Sequence, residues 1–358
     1  MNKKSTVYFI PMQHNEGYQS AKQKLESLYE ACDLGACYDA HDTIAIKMHF
    51  GEKGNANTIP PEYVKILVEK LKEKETSPFL TDTCVLYKSM RSDAVNHLIL
   101  ARDQGYSLDT VGAPVIIADG LLGTSEIDVN IPGELFKTVA IAANAIMSNA
   151  MLVLTHITGH MATALGGALK NLGMGFASRK GKLRQHSGMK PKVKADSCTG
   201  CEQCVKWCPE NAIIMRGDIA IIDSGKCIGC GQCLSVCRFF AIAHNWAVDS
   251  ATIQKKVAEH AYGAVIDKPN KVGYLNFITA VTKNCDCISS TQNPIIPDIG
   301  VIASKDPVAI DAASLKLIHL KTGKKLSQMS FPHLDYSIQL RHAEKIGLGK
   351  TNFEIIEI

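Results

Sequence analysis

The sequence predicts an α/β fold, a sheet with helices on both faces, interrupted by an inserted cysteine-rich α+β module. Three observations carry this reading. Short β-branched runs alternate with helical segments on both sides of the module. The runs are apolar throughout, as strands covered on both faces must be. Eight of the thirteen cysteines fall between Cys198 and Cys237. In chain order, residues 6–10 read as a strand, Tyr18–Ala31 as a helix and residues 43–48 as a second strand. Pro60 and Pro61 open a helix reaching residue 74, with proline in the first turn, where it is tolerated. Residues 79–81 form a third strand, Ser92 caps a helix to residue 104, and residues 115–118 form a strand. A helix is expected over 137–148 and an apolar strand over 151–155. Past the module, Asp249 caps a helix to residue 261, strands follow at 272–277 and 301–303, and Asp306-Pro307 opens the next helix. The domain limits are therefore 1–190 for the first part of the α/β domain, 191–246 for the module and 247–358 for the second part.

With 358 residues, 46% hydrophobic and 21% charged, the chain has the composition of an ordinary globular enzyme. A net charge of +4 gives no reason to expect nucleic acid as a partner. The run at 6–10 is too short for a secretory signal, and the most apolar stretch, 138–157, is broken by Asn144, Ser148 and Asn149, so no membrane association is expected. Thiols at this density point to a reducing, cytoplasmic setting. The linker over 179–194 holds seven Lys or Arg and no acid. It reads either as a solvated flexible connection or as a docking surface for an acidic electron donor or a phosphate.

The cysteines form two copies of one pattern, Cys198-x2-Cys201-x2-Cys204-x3-Cys208-Pro209 and Cys227-x2-Cys230-x2-Cys233-x3-Cys237. In this spacing three thiolates wrap one face of a 4Fe-4S cluster and the fourth ligates the other cluster. The expected sets are Cys198, Cys201, Cys204 and Cys237 for one, and Cys227, Cys230, Cys233 and Cys208 for the other. A pair of zinc knots is disfavoured, because zinc takes four ligands rather than two interlocked sets of four. The segment resembles a bacterial two-cluster ferredoxin along its whole length. That resemblance makes the insertion a ferredoxin-like α+β module, with Arg238 where the family has its second proline.

In open α/β sheets chemistry gathers at the carboxyl ends of the strands. Here those ends read Lys47-Met48-His49-Phe50-Gly51-Glu52, Asp82-Thr83-Cys84 and His156-Ile157-Thr158-Gly159-His160. The last continues to Gly166-Gly167-Ala168-Leu169-Lys170-Asn171, where glycines would let backbone approach an anion and Lys170 would add a point charge. Each element has a plainer reading: hydrogen-bonded structural histidines, close helix packing at the glycines, and Asp306 as a helix cap. Cys285-Asp286-Cys287 presents two thiols on one side of a strand-like segment, either as buried inert groups or as ligands of one metal. Lys170, His156, His160 and His49 are the expected catalytic residues. Cys285, Cys287 and Asp82 are the expected metal ligands, with Cys84 and His156 as further candidates for the same site, whose third metal or organic cofactor is unknown.

Taken together, Lys47-x-His49-Phe-Gly-Glu52, His156 with Gly166-Gly167-x-x-Lys170-Asn171, Cys285-Asp-Cys287 and Ser304-Lys-Asp306-Pro-Val-Ala-Ile-Asp311 resemble the uncharacterised iron-sulfur centre proteins. These carry a domain of unknown function interrupted by a bacterial-type ferredoxin, and the resemblance covers nearly the whole chain. More distantly, Gly166-Gly167-x-x-Lys170 is similar to the Gly-Gly-Arg-Lys element of nickel-pincer lactate racemases, with one more residue before the lysine. The expected function is an iron-sulfur oxidoreductase, or electron-transfer protein, feeding low-potential electrons to a site at the strand ends. A metal or cofactor maturation protein and a non-redox isomerase with structural clusters are the alternatives. From Cys198 to Cys237 the net charge is −1, far less acidic than a diffusing ferredoxin. The module is thus expected to sit on its host and meet an electron donor or acceptor protein such as an acidic ferredoxin or flavodoxin, with a small-molecule substrate in the host cleft.

Overall fold

The computed structural model describes residues 4–186, 190–227, 231–243 and 248–358. Strands β1 (Ser5–Pro11), β2 (Thr43–Lys47), β3 (Ser77–Thr81), β4 (Ala150–His156), β5 (Val272–Ile278), β6 (Gly300–Ser304) and β7 (Phe353–Glu357) form one seven-stranded sheet. Their order is β7-β1-β6-β5-β4-β2-β3. β6 runs antiparallel to both neighbours, while β5, β4, β2 and β3 are parallel, so their carboxyl ends share one edge.

Side chains alternate across a strand, and the apolar runs here supply both faces. Ala45, Met151, Val153, Tyr274 and Ile302 enter one core with the helices Ala168–Gly173, Ser250–Val265 and Pro307–Thr322. Ile44, Ile46, Leu152, Leu154, Leu275 and Phe277 enter the other with Tyr18–Ala31 and Pro61–Lys72. The two-faced α/β expectation therefore holds. No helix among the described residues is long and apolar enough to cross a membrane.

Local expectations fail where long-range pairing competes with helix propensity. Residues 137–148 are not one helix: Thr138–Ala142 is a strand paired antiparallel with Glu126–Asn130, and only Ala143–Met147 is helical. The β-branched Thr138, Val139 and Ile141 fit a pleated surface once a partner strand is present. Residues 115–118 contribute only an isolated parallel bridge, Leu80 to Val115. Asp93 rather than Ser92 caps the helix Ala94–Asp103, accepting from the Asn96 N–H at 3.0 Å. The first half of the basic linker is not coil: Arg179–His186 is a helix with Arg179 and Lys182 buried, and residues 187–189 lie outside the described residues.

The module is tied at its neck. Its leading strand Lys192–Val193 pairs antiparallel with its closing strand Ile242–Ala243. Between them stand the hairpin Ile213–Arg216 with Ile219–Ile222 and the short helices Gln203–Lys206 and Gln232–Val236. Its small core of Cys204, Ile213, Ala220, Cys233, Leu234 and Ile242 also takes in Leu86 and Leu183 of the host. Gly231 lies at φ +78°, and a Cβ there would come within 2.5 Å of Leu183, so this glycine permits both the turn and the docking.

Candidate functional site

The module brings Cys198, Cys201, Cys204 and Cys237 around one cavity, with Gly200, Ala220 and Ile242 among its other walls. Backbone N–H groups point at the sulfurs: Ala220 to Cys198 at 3.5 Å, Ala212 to Cys208 at 3.2 Å and Ala241 to Cys237 at 3.3 Å. The last two repeat the same offset of four residues, as the duplicated pattern predicts. Such donors favour thiolates, the form that binds iron, so this donor set fits a cubane. In the second set, Cys230 lies outside the described residues. Each thiolate of a cubane takes a different iron, so these sulfurs do not converge on one point. Accordingly, among the described residues no group of three or more His, Cys, Asp or Glu is placed to hold a single metal ion.

At the shared carboxyl edge, β2 ends in Lys47 and β3 runs into Asp82. Their side chains form a buried ion pair at 3.0 Å. Lys47 also donates to Asn171 Oδ1 at 2.8 Å and to the Met48 carbonyl at 3.1 Å, which uses its three protons. Burial pulls the Lys47 pKa down against the pull of Asp82. For Asp82, burial pushes upward, but Lys47, His49, His97 and Arg91 hold the carboxyl well below its usual range. Arg91 reaches Asp82 at 3.7 Å, donates to Glu52 at 3.3 Å and also donates to the Tyr87 hydroxyl. Asp82 is thus ringed by cations, its Oδ2 makes no hydrogen bond among the described residues, and it lines the same cavity as His49 and Cys287. Cys84 is elsewhere, buried with its N–H on Asp119.

Gly167 lies against an anion of the protein's own, whereas Gly166 lies against Thr158. Asp311 accepts from Ala168 N–H at 2.7 Å, Leu169 N–H at 3.0 Å and Asn276 Nδ2 at 2.9 Å. A Cβ on Gly167 would meet its carboxylate at 2.5 Å. Asp306 caps the helix Pro307–Thr322 through Val308 and Ala309 N–H, the plainer of its two readings. Lys170, one turn beyond Gly167, is left over. No hydrogen bond or ion pair among the described residues engages its ammonium. Burial disfavours that charge, yet Cys285 and Cys287 beside it raise its pKa.

Cys285 and Cys287 lie in a turn rather than a strand, closed by the Ile288 N–H on the Cys285 carbonyl at 3.2 Å. The turn still brings both cysteines to the wall of one cavity. His49 fixes the polarity of this pair. Its Nδ1 accepts the Gly51 N–H at 2.8 Å, so a neutral ring carries its proton on Nε2, which faces Cys287 Sγ at 3.4 Å. The hydrogen bond from Cys285 lowers the Cys287 pKa far below its ordinary value; burial opposes this, and Arg91, His49 and Lys170 add to it. Cys285 is pushed the other way by the same bond and by burial. Cys287 is thus the more acidic of the two sulfurs.

The other two expected histidines differ. His156 joins Asp286 at 2.9 Å through Nδ1 and the Thr279 carbonyl at 3.0 Å through Nε2. Burial disfavours its charge, but Asp286 outweighs it and raises the pKa. It holds the Cys285–Cys287 turn through Asp286 and lines a cavity with His49, Lys170 and Cys285. His160 accepts on Nδ1 from Thr163 Oγ1 at 2.9 Å and from the Thr163 N–H at 3.1 Å, and burial with Lys170 nearby keeps it neutral. Three cavities meet here. One of about 90 Å³ is lined by Lys47, His49, Arg91, Lys170 and Cys287, and another by His49, Lys170 and Cys285. A third, of about 790 Å³, carries Cys285, Cys287 and His160 on its wall with Met161, Met174 and Ile253, a size that suits a small molecule.

The model of a domain of unknown function, DUF362, matches residues 44–316. The chain belongs to this family. No curated protein sequence matches it. Among solved structures, the lactate racemase apoprotein from Thermoanaerobacterium thermosaccharolyticum is similar at 11% identity and a TM-score of 0.41, over 77% of this chain and 50% of that one. A protein from Thermotoga maritima is similar at 10% identity and a TM-score of 0.38, over 75% of this chain and 52% of that one. The chain spans about half the length of these structures.

In this DUF362 protein, then, Lys170, His49, Cys285 and Cys287 share one cleft, Asp82 and His156 also stand on its walls, and His160 lines its apolar arm. Sequence reading missed Arg91, Tyr87 and Lys182. Lys182 sits in the basic helix, buried, donating to Thr83 Oγ1 at 2.5 Å and to the Ala177 carbonyl at 2.6 Å, and burial lowers its pKa to about 8. Arg91 and Tyr87 follow Asp82-Thr83-Cys84 in the loop after β3. Charged and aromatic residues so soon after a strand end are the signal that would have found them.

Proposed function

We propose that this chain is an iron-sulfur protein of the reducing cytoplasm, holding two 4Fe-4S clusters and acting as an oxidoreductase or electron-transfer protein on a small molecule in the host cleft. The observation that carries the reading is the cavity shared by Cys198, Cys201, Cys204 and Cys237, because only the crossed pairing of a two-cluster module joins the first three to a residue of the second run. When bound, the clusters supply one-electron transfer at low potential. The chain's own residues supply the rest. Lys170 holds an anionic group of the substrate, Lys47 and Arg91 keep the surrounding field positive, and His49 and His160 offer N–H donors. The apolar arm of the cleft excludes water from the reacting part. The partner is an electron donor or acceptor protein of acidic surface, for which the module's near-neutral face and the exposed Lys190 and Lys192 are suited.

The test is chemical analysis after anaerobic purification. About eight irons and eight acid-labile sulfides per chain are expected, with a reduced-cluster signal in electron paramagnetic resonance. Zinc in place of iron after reconstitution would sink the reading.

A further inference from the structure

Cys285 and Cys287 carry chemistry that neither cluster ligation nor substrate binding uses. Two residues in sequence separate their Cα atoms by at most about 7 Å. The turn closed at 3.2 Å by Ile288 shortens that span into the range a disulfide requires, about 4.4–6.8 Å. Both sulfurs are free thiols and line the same cavity. They face open cavities, whereas Cys32, Cys37 and Cys84 are buried in the host. We propose that Cys285 and Cys287 form a dithiol-disulfide pair that reduces a small, carboxylate-bearing disulfide. The electron source in this proposal is the module, so that half rests on the iron-sulfur reading.

Each step balances. The Cys287 thiolate attacks one sulfur of the substrate disulfide, forming a mixed disulfide and releasing the first substrate half as a thiolate. Cys285 then attacks Cys287, its proton passing to the second half, which leaves as a thiol. The internal disulfide takes up two electrons and one proton and returns to one thiol and one thiolate. The roles follow from the site: the attacking sulfur is the one facing His49 Nε2–H at 3.4 Å, and the resolving sulfur is its neighbour. Lys170, whose ammonium makes no hydrogen bond or carboxylate ion pair among the described residues and lines the cavities that hold both sulfurs, receives a carboxylate of the substrate. A contact path to the module exists. Leu86 packs in the module core with Cys204 and Cys233, and the next residue, Tyr87, lines one cavity with Cys287.

The experiment uses the holoprotein and glutathione disulfide as the probe. Reaction is followed anaerobically at pH 7 by thiol release and by mass spectrometry of the segment holding both cysteines. Wild type should release two thiols per chain and gain one Cys285–Cys287 linkage. Cys285→Ser should stop at a glutathionyl adduct on Cys287, and Cys287→Ser should react at least tenfold more slowly. Lys170→Met should slow reaction with glutathione disulfide more than with the uncharged 2-hydroxyethyl disulfide. Dithionite should restore both thiols in wild type and at least tenfold more slowly in Cys201→Ser. A holoprotein with full iron that forms no such linkage, or whose Cys287→Ser variant reacts like wild type, overturns the proposal. So does a metal ion retained stoichiometrically on the two sulfurs. A linkage that forms in a chain binding no iron leaves the thiol pair standing and removes the iron-sulfur reading instead.

Discussion

The inserted module and the host cleft both collect cysteines, and they do it by opposite means. In the module the sulfurs are four residues or fewer from their neighbours in the pattern, and backbone N–H groups aim at them from the same turns. In the cleft, Cys285 and Cys287 are surrounded by side chains from far along the chain: His49 from the end of β2, Arg91 from the loop after β3 and Lys170 from the helix after β4. A site built of backbone tolerates changes around it, because each donor is fixed by its own turn. A site built of side-chain charges depends on each one, since removing a buried charge leaves its partner unpaired.

The largest effect expected from this contrast is in the module. Cys201→Ser removes one thiolate of the first set, and iron should fall from about eight toward about four per chain while the host stays folded. Iron analysis with far-ultraviolet circular dichroism checks both parts. Loss of all iron, or collapse of the host, would mean that the module and the host are one cooperative unit.

The same contrast explains what was legible. The strands of the parallel set and the cap at Asp306 depend on neighbours within a few residues, and local pattern alone points to them. The role of Gly167 was misread because its partner, Asp311, is far away in sequence and supplies from within the anion that a ligand was expected to bring. The strand Thr138–Ala142 was hidden for the same reason: its pairing with Glu126–Asn130 decides the matter, and alanine content locally argues for helix. Lys182 counted only as one more charge in a basic run until the helix buried it.

In the cleft, Asp82→Asn should cost about 3–5 kcal/mol of stability, because Lys47 and Arg91 remain buried without their counter-charge. Urea denaturation measures it. Adding Lys47→Met should recover a large share, and a single variant as stable as wild type would show that the cations escape to solvent.

A smaller effect separates Asp311 from the paired Asp82. Burial pushes Asp311 up to about 6, against 3.8 for a free carboxyl, despite its hydrogen bonds. The folded chain therefore keeps a proton that the unfolded chain has already released, and stability should fall as pH rises from 5 to 7, by about 1 kcal/mol. Asp311→Asn should lose that slope. An unchanged slope in the variant would assign the pH dependence to another group, such as the buried Asp119, which burial also raises to about 6.

The smallest expected difference compares two helix caps on either side of the same contrast. Asp249 caps Ser250–Val265 through one bond, the Thr252 N–H at 2.9 Å, and is otherwise exposed next to the module's exit. Asp306 accepts from Val308 and Ala309 N–H and also ties in Ser5 Oγ at 2.7 Å and the Lys350 N–H at 2.9 Å, joining both termini of the host to one helix. Asp249→Ala should therefore cost about 1 kcal/mol, the ordinary price of a lost cap, and Asp306→Ala about 2 kcal/mol, because more donors are left unsatisfied. Thermal unfolding of the two variants side by side gives the order. Equal losses would mean that water replaces the long-range partners of Asp306 as well as Asp306 itself holds them, and that the cap alone sets its value.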